Sequence, residues 1–205
     1  MGFLVKFLHR KKEPVPMELQ IKTISVGLLE TNCYLVYREG GDSCVLIDPG
    51  ADAGAILRGV GTMHVDAILL THAHFDHIGA VSKVMQDGTE LCVHPLDEPL
   101  MSNPYLNASW MIHQEVIAPA PTRLVKDGDV VEAAGLSFRV MHTPGHTPGG
   151  VTYLCEDAMF TGDTMFRAGY GRTDLPGGDD EALKQSVMRL MPLAKTHRVF
   201  PGHEG

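Results

Sequence analysis

Apolar and polar positions alternate over Leu19-Gln20-Ile21-Lys22-Thr23-Ile24, the period of a strand with one buried face. Residues 31–37 predict a second strand. Glu39-Gly40-Gly41-Asp42 then turns the chain, and Ser43-Cys44-Val45-Leu46-Ile47 returns. Asp48-Pro49-Gly50 stops that strand with a carboxylate at its end, and residues 51–60 predict a short helix. The apolar run 66–71 reads as a buried strand, and residues 78–85 read as a helix. Residues 91–94 predict another short strand, with Pro95 opening a helix. Residues 95–122 are long, proline-containing and weakly periodic, which fits a functional loop or a surface excursion packed by its own aromatics. After a turn at Asp127-Gly128-Asp129, residues 136–141 alternate, and residues 151–155 and 158–161 form a hairpin. Gly177-Gly178-Asp179-Asp180 opens a helix over residues 181–191, with aspartates suited to its positive end. Residues 198–200 predict a last strand.

Strands interleaved with helices over 205 residues predict a single α/β domain large enough to bury a core. A net charge of −8 argues against unaided nucleic-acid binding, which needs a basic surface. Cys33, Cys44, Cys92 and Cys155 are widely spaced in apolar contexts, so we expect buried free thiols and a cytoplasmic protein. Residues 1–16 carry four Lys or Arg against one Glu, and Pro14 and Pro16 separate them from the first strand. Their apolar start is interrupted by Lys6 and precedes the basic residues, the reverse of a signal peptide's order. A membrane span takes about 20 apolar residues, so no stable insertion is expected. Residues 1–16 are expected to be a flexible, dispensable extension, with the domain proper at 17–205.

The chemistry concentrates in His72-Ala73-His74-Phe75-Asp76-His77, between the strand at 66–71 and the helix at 78–85. Neutral imidazole is the commonest protein ligand for zinc and also suits iron. On extended backbone, residues two apart share a side, so His72 and His74 can converge on one ion, while Asp76 and His77 can face a second. Downstream, His146 in Thr143-Pro144-Gly145-His146, Asp163 in Thr161-Gly162-Asp163-Thr164 and His203 in Pro201-Gly202-His203 each follow a strand-like run and sit beside glycine. Asp48 reads either as a turn cap or as a carboxylate orienting a ligating imidazole. His94 and His142 read as structural.

The pattern HxHxDH followed by a lone His, a lone Asp and a lone His resembles the metallo-β-lactamase superfamily over residues 72–203. Within it, Gly162-Asp163-Thr164-Met165-Phe166 and Gly171-Arg172-Thr173-Asp174-Leu175-Pro176-Gly177-Gly178-Asp179 look most like the glyoxalase II (hydroxyacylglutathione hydrolase) group. The resemblance implies an αββα sandwich and two divalent metal ions, zinc first, with iron or manganese as alternatives. It assigns His72, His74 and His146 to one ion, Asp76, His77 and His203 to the other, and Asp163 to a bridge. It favours His146 over His142 as the ligand, and it tips Asp48 toward the orienting role. A hydroxide shared by the ions would attack a small acyl thioester, with Asp76 and Asp163 as catalytic carboxylates. Arg172 matches the position of a basic glutathione-binding residue, and a salt bridge to Asp174 or Asp179 is equally open. Long members of the group carry tyrosine where this chain has Asp174, and they continue into a C-terminal helical domain. This sequence stops two residues past His203, as in the short form. The same ligand pattern is shared by persulfide dioxygenase, which holds one iron at the equivalents of His72, His146 and Asp163, and by lactonases and β-lactamases.

Overall fold

The computed structural model describes residues 17–204, so the expected extension at 1–16 lies outside the described residues. Among those described, one sheet holds β1 (Leu19–Val26), β2 (Thr31–Arg38), β3 (Ser43–Ile47), β4 (His64–Leu69), β5 (Glu90–Val93) and β6 (Arg123–Leu124), in that order. The other holds β7 (Val130–Ala133), β8 (Leu136–His142), β9 (Val151–Cys155), β10 (Ala158–Gly162) and β11 (Arg198–Pro201), in the reverse order. β1, β2 and β3 pair antiparallel, and β3 to β6 pair parallel. The second sheet is antiparallel except where β10 meets β11.

Parallel neighbours require crossovers, and helices supply several of them. α1 (Ala53–Val60) joins β3 to β4, α2 (Phe75–Ile78) and α3 (Val81–Val84) join β4 to β5, and α4 (Asp180–Leu190) joins β10 to β11. Strand alternation then sorts the core. Cys33 and Leu35 of β2 pack with Ile56 and Val81 in the helical layer. Tyr34 and Val36 face the second sheet, in a cluster with Ile47, Leu69, Phe138, Tyr153 and Phe160. Burying each such side chain contributes roughly 1.5–3 kcal/mol. Met159, Met165 and Leu190 attach α4 to the outer face of the second sheet. The layers run helix, sheet, sheet, helix, which is the expected sandwich.

Several elements differ from the pattern reading. The helix expected over 78–85 is broken into α2 and α3 around Gly79. A Cβ on Gly79 would sit 2.4 Å from the Gly50 carbonyl, and Ala80 N–H donates to Pro49 O at 2.9 Å. The helix is therefore cut where the chain presses onto the loop after β3. The helix expected at Pro95 is a 3₁₀ turn at Glu98–Ser102, followed by another at Ser109–Ile112. β6 and β7, two and four residues long, carry too little periodicity to be predicted. α4 starts where expected, because Asp179 Oδ1 accepts from the Glu181 and Ala182 N–H groups, each at 2.9 Å. All four cysteines are buried and free. No described helix is long and apolar enough to cross a membrane.

Candidate metal centre

Every candidate ligand lies where a strand has just ended. His72 and His74 follow β4, Asp76 and His77 fall in α2, and His146, Asp163 and His203 follow β8, β10 and β11. The donor atoms of His72, His74 and His146 lie within 4.8 Å of one another, as do those of Asp76, His77 and His203. Asp163 stands between the groups. Its Oδ2 is 3.5 Å from both His146 Nε2 and His203 Nε2, and its Oδ1 is 3.6 Å from His77 Nε2. His203 Nε2 is 3.3 Å from Asp76 Oδ2. The structure thus brings all seven residues together. His94 and His142 stack on each other instead, centroids 4.2 Å apart, away from the cluster.

Contacts behind the rings fix which nitrogen faces inward. His146 Nδ1 is 2.7 Å from the Arg172 carbonyl and His203 Nδ1 is 3.0 Å from the Leu29 carbonyl. A carbonyl only accepts, so each Nδ1 carries a proton, which leaves each Nε2 as the nitrogen that can offer a lone pair to a cation. The Thr71 hydroxyl donates to Asp48 Oδ2 at 2.6 Å, so its oxygen accepts from His72 Nδ1–H at 3.1 Å. His74 Nδ1 faces His146 Nε2 at 2.9 Å. His77 Nδ1 lies 3.0 Å from Asp48 Oδ2, an ion-pair contact turned off the line of a straight hydrogen bond. Asp48 also comes within 4.8 Å of His72 and His77 as a possible third donor group. Its oxygens, however, already accept from Thr71 N–H at 2.8 Å and from the Thr71 hydroxyl. Asp48 therefore backs the cluster, in a left-handed conformation with φ of 52°.

The donor set fits metal ions on physical grounds. His72 Nε2, His77 Nε2 and Asp163 Oδ1 are buried without a hydrogen-bond partner, a costly state that a cation relieves. Burial, then the neighbouring rings, holds His72 and His74 well below the usual imidazole range, so both are neutral donors. Burial opposes a charge on His77, but Asp76, Asp48 and Asp163 outweigh it and raise its pKa. Burial would likewise raise Asp76, yet His77 and His203 hold it below the carboxylate range. A cation takes the place of those protons. The space is tight: a Cβ on Gly202 would sit 2.1 Å from Asp163 Oδ1.

A cleft of about 510 Å³ opens over His74, Asp76, His146, Asp163 and His203. Leu29, Phe75, Met111, Ile112, Phe166 and Leu175 line it, so the irregular stretch 95–122 does reach the site. Arg172 lines it too, with its guanidinium paired to Asp174, which is thereby held down to about 2. One buried residue escaped the sequence reading. Asp97 accepts from Ala73 N–H at 3.0 Å, the Thr147 hydroxyl at 2.8 Å and Gly149 N–H at 2.6 Å. It ties the loop carrying His72 and His74 to the loop carrying His146. Beside Glu98 and two prolines, it carries no local signal of that role.

Known proteins are similar to this chain in sequence and in fold. Hydroxyacylglutathione hydrolase GloC of Haemophilus influenzae is 31% identical over 193 residues, covering 90% of this chain and 91% of its own. The BLEG-1 B3 metallo-beta-lactamase superposes with a TM-score of 0.85 at 35% identity, covering 91% of this chain and 92% of that one. TTHA1623 in a di-iron-bound form gives 0.77 at 39% identity, covering 90% and 92%. Residues 26–203, from the end of β1 to the last histidine of the cluster, match the Metallo-beta-lactamase superfamily. With its histidine and aspartate clusters on the strand ends of a four-layer sandwich, this chain belongs to that superfamily of metallo-hydrolases.

Proposed function

We propose that the chain hydrolyses small acyl thioesters in the manner of glyoxalase II, on S-lactoylglutathione or a related ester, with two divalent metal ions, zinc first. The supporting observation is the two-centred donor set, in which Asp163 faces His146 on one side and His203 on the other at 3.5 Å. Metal ions held there would supply Lewis-acid polarisation of an acyl carbonyl and a water acidified enough to attack it. His72, His74 and His146 would hold the first ion, Asp76, His77 and His203 the second, and Asp163 would serve both. Asp48 keeps His77 turned inward. The Thr31 hydroxyl donates to Asp76 Oδ2 at 2.9 Å and so orients the carboxylate that would take the proton of the attacking water. Leu29, Phe75, Met111, Ile112, Phe166 and Leu175 give the cleft an apolar wall for the substrate, and Arg172 lies at that wall.

Likeness to a B3 metallo-beta-lactamase favours β-lactam or lactone hydrolysis as a second reading. A mononuclear-iron persulfide dioxygenase is a third, and a di-iron relative keeps iron in view for the hydrolase as well. The experiment measures metal identity and content per chain, then offers S-lactoylglutathione, glutathione persulfide and a chromogenic β-lactam to the same sample. We expect two ions and thiol release that is equal in air and under argon. Asp48→Asn should lose about 10–100-fold in activity or metal affinity, and His77→Ala more. Asp163→Ala should lower occupancy of both sites, and His203→Ala mainly that of the second. Oxygen uptake with persulfide, one iron per chain and untouched thioester would sink the hydrolase reading.

A further inference from the structure

The cleft wall bears on which thioester fits. Arg172 is the only Lys or Arg lining the cleft among the described residues. Both carboxylate oxygens of Asp174 meet its guanidinium, with Nε to Oδ1 at 2.5 Å and Nη2 to Oδ2 at 2.6 Å. This is the bidentate fork in which arginine otherwise grips a ligand carboxylate. The Arg172 carbonyl accepts from His146 Nδ1–H, which fixes the backbone from which the fork projects. At the cleft mouth, Arg167 is likewise engaged by Glu204 at 3.0 Å, and Glu204 itself lines the cleft. Apart from the clustered His and Asp residues, Arg172 and Glu204, the wall is apolar, and the almost fully exposed Leu28 lines an adjoining cleft of about 330 Å³ bordered by Lys83.

We propose that Asp174 determines specificity: by occupying Arg172 it removes the anchor an anionic thiol portion needs, so the cleft takes thioesters whose thiol portion is uncharged and apolar. The inference rests on the thioester reading, but binding tests it apart from turnover. The probes are two thioethers that cannot be hydrolysed, S-propylglutathione and S-propyl-N-acetylcysteamine, titrated by calorimetry into metal-loaded protein. Asp174→Asn should tighten the glutathione thioether roughly 3–5-fold, the scale of one exposed charge contact. It should leave the neutral thioether within about twofold, and the gain should shrink at high salt. Adding Arg172→Gln to that variant should abolish the gain. The proposal is overturned if Asp174→Asn changes neither affinity or raises both alike. It is also overturned if the unmodified protein prefers the glutathione thioether and Lys83→Gln removes that preference, since Lys83 would then be the anchor. Lactoyl thioesters of the same two thiols report hydrolysis separately, so loss of the reaction class and loss of this specificity are told apart.

Discussion

At the scale of single residues, Asp97 holds two ligand loops without belonging to the ligand cluster. Burial pushes its carboxyl up, against the three donors of Thr147, Gly149 and Ala73 that favour its charge. Gly149 packs so close that a Cβ there would lie 2.6 Å from Asp97 Oδ1. Asp97→Ala strands three buried donors, at about 1–3 kcal/mol each. We expect a large loss in a denaturant melt and a 10–100-fold loss of metal affinity, roughly, confined mainly to the site of His72, His74 and His146. A variant that takes up two ions with unchanged affinity would mean that these loops hold themselves.

At the scale of elements, β4 delivers the histidine loop, and its first residues are fastened by a titrating pair. His64 Nδ1 is 3.0 Å from Asp66 Oδ1, and its Nε2 is 3.0 Å from the Asp87 carbonyl ahead of β5. Both partners accept, so the protonated ring satisfies both. The bond to Asp66, then that to Asp87, raises the His64 pKa. Burial would raise Asp66, but His64 and the Ala134 N–H lower it on balance. A raised histidine contributes stability that is complete below its unfolded pKa of about 6.5 and is lost as pH rises through the folded value. A lowered carboxylate contributes above its unfolded pKa, and that share is lost in acid. Thermal melts should therefore show His64→Gln at its greatest disadvantage below the unfolded pKa of about 6.5, fading as pH rises through the ring's raised folded value. A deficit that grows with pH would contradict this pairing.

At the scale of the molecule, the candidate centre spans both sheets. His72, His74 and His77 come from the connection after β4, and His146, Asp163 and His203 follow strands of the other sheet. The halves already meet there through Asn32 N–H to Gly202 O at 2.7 Å and the Tyr34 hydroxyl to Pro201 O at 2.6 Å. Ions bound only by the native state add about 2.7 kcal/mol at a hundred times Kd. For a domain of this size, that predicts a fall in Tm of about 5–10 °C on chelation, restored by added zinc. An unchanged Tm in scanning calorimetry would argue against metal binding by the native fold.

Strand period, turn residues and the contiguous HxHxDH run are written in near neighbours, so the layered α/β fold and the grouping of His72, His74, Asp76 and His77 were legible from the chain. His146, Asp163 and His203 were legible because each sits beside glycine just past a strand, in the order the superfamily resemblance requires. The pattern left Asp48 divided between cap and orienting carboxylate, and Arg172 divided between salt bridge and substrate contact. Packing put Asp48 against His77 and Thr71, and Arg172 on Asp174. Gly79 broke a periodic helix because the loop after β3 crosses within contact of it. Asp97 acquired its role from residues 24, 50 and 52 positions away. Local periodicity encodes which elements form, but hydrogen bonds and close approaches between distant segments exist only once the sheets are stacked, and those contacts decide which nitrogen faces a metal and which charge is free to meet a ligand.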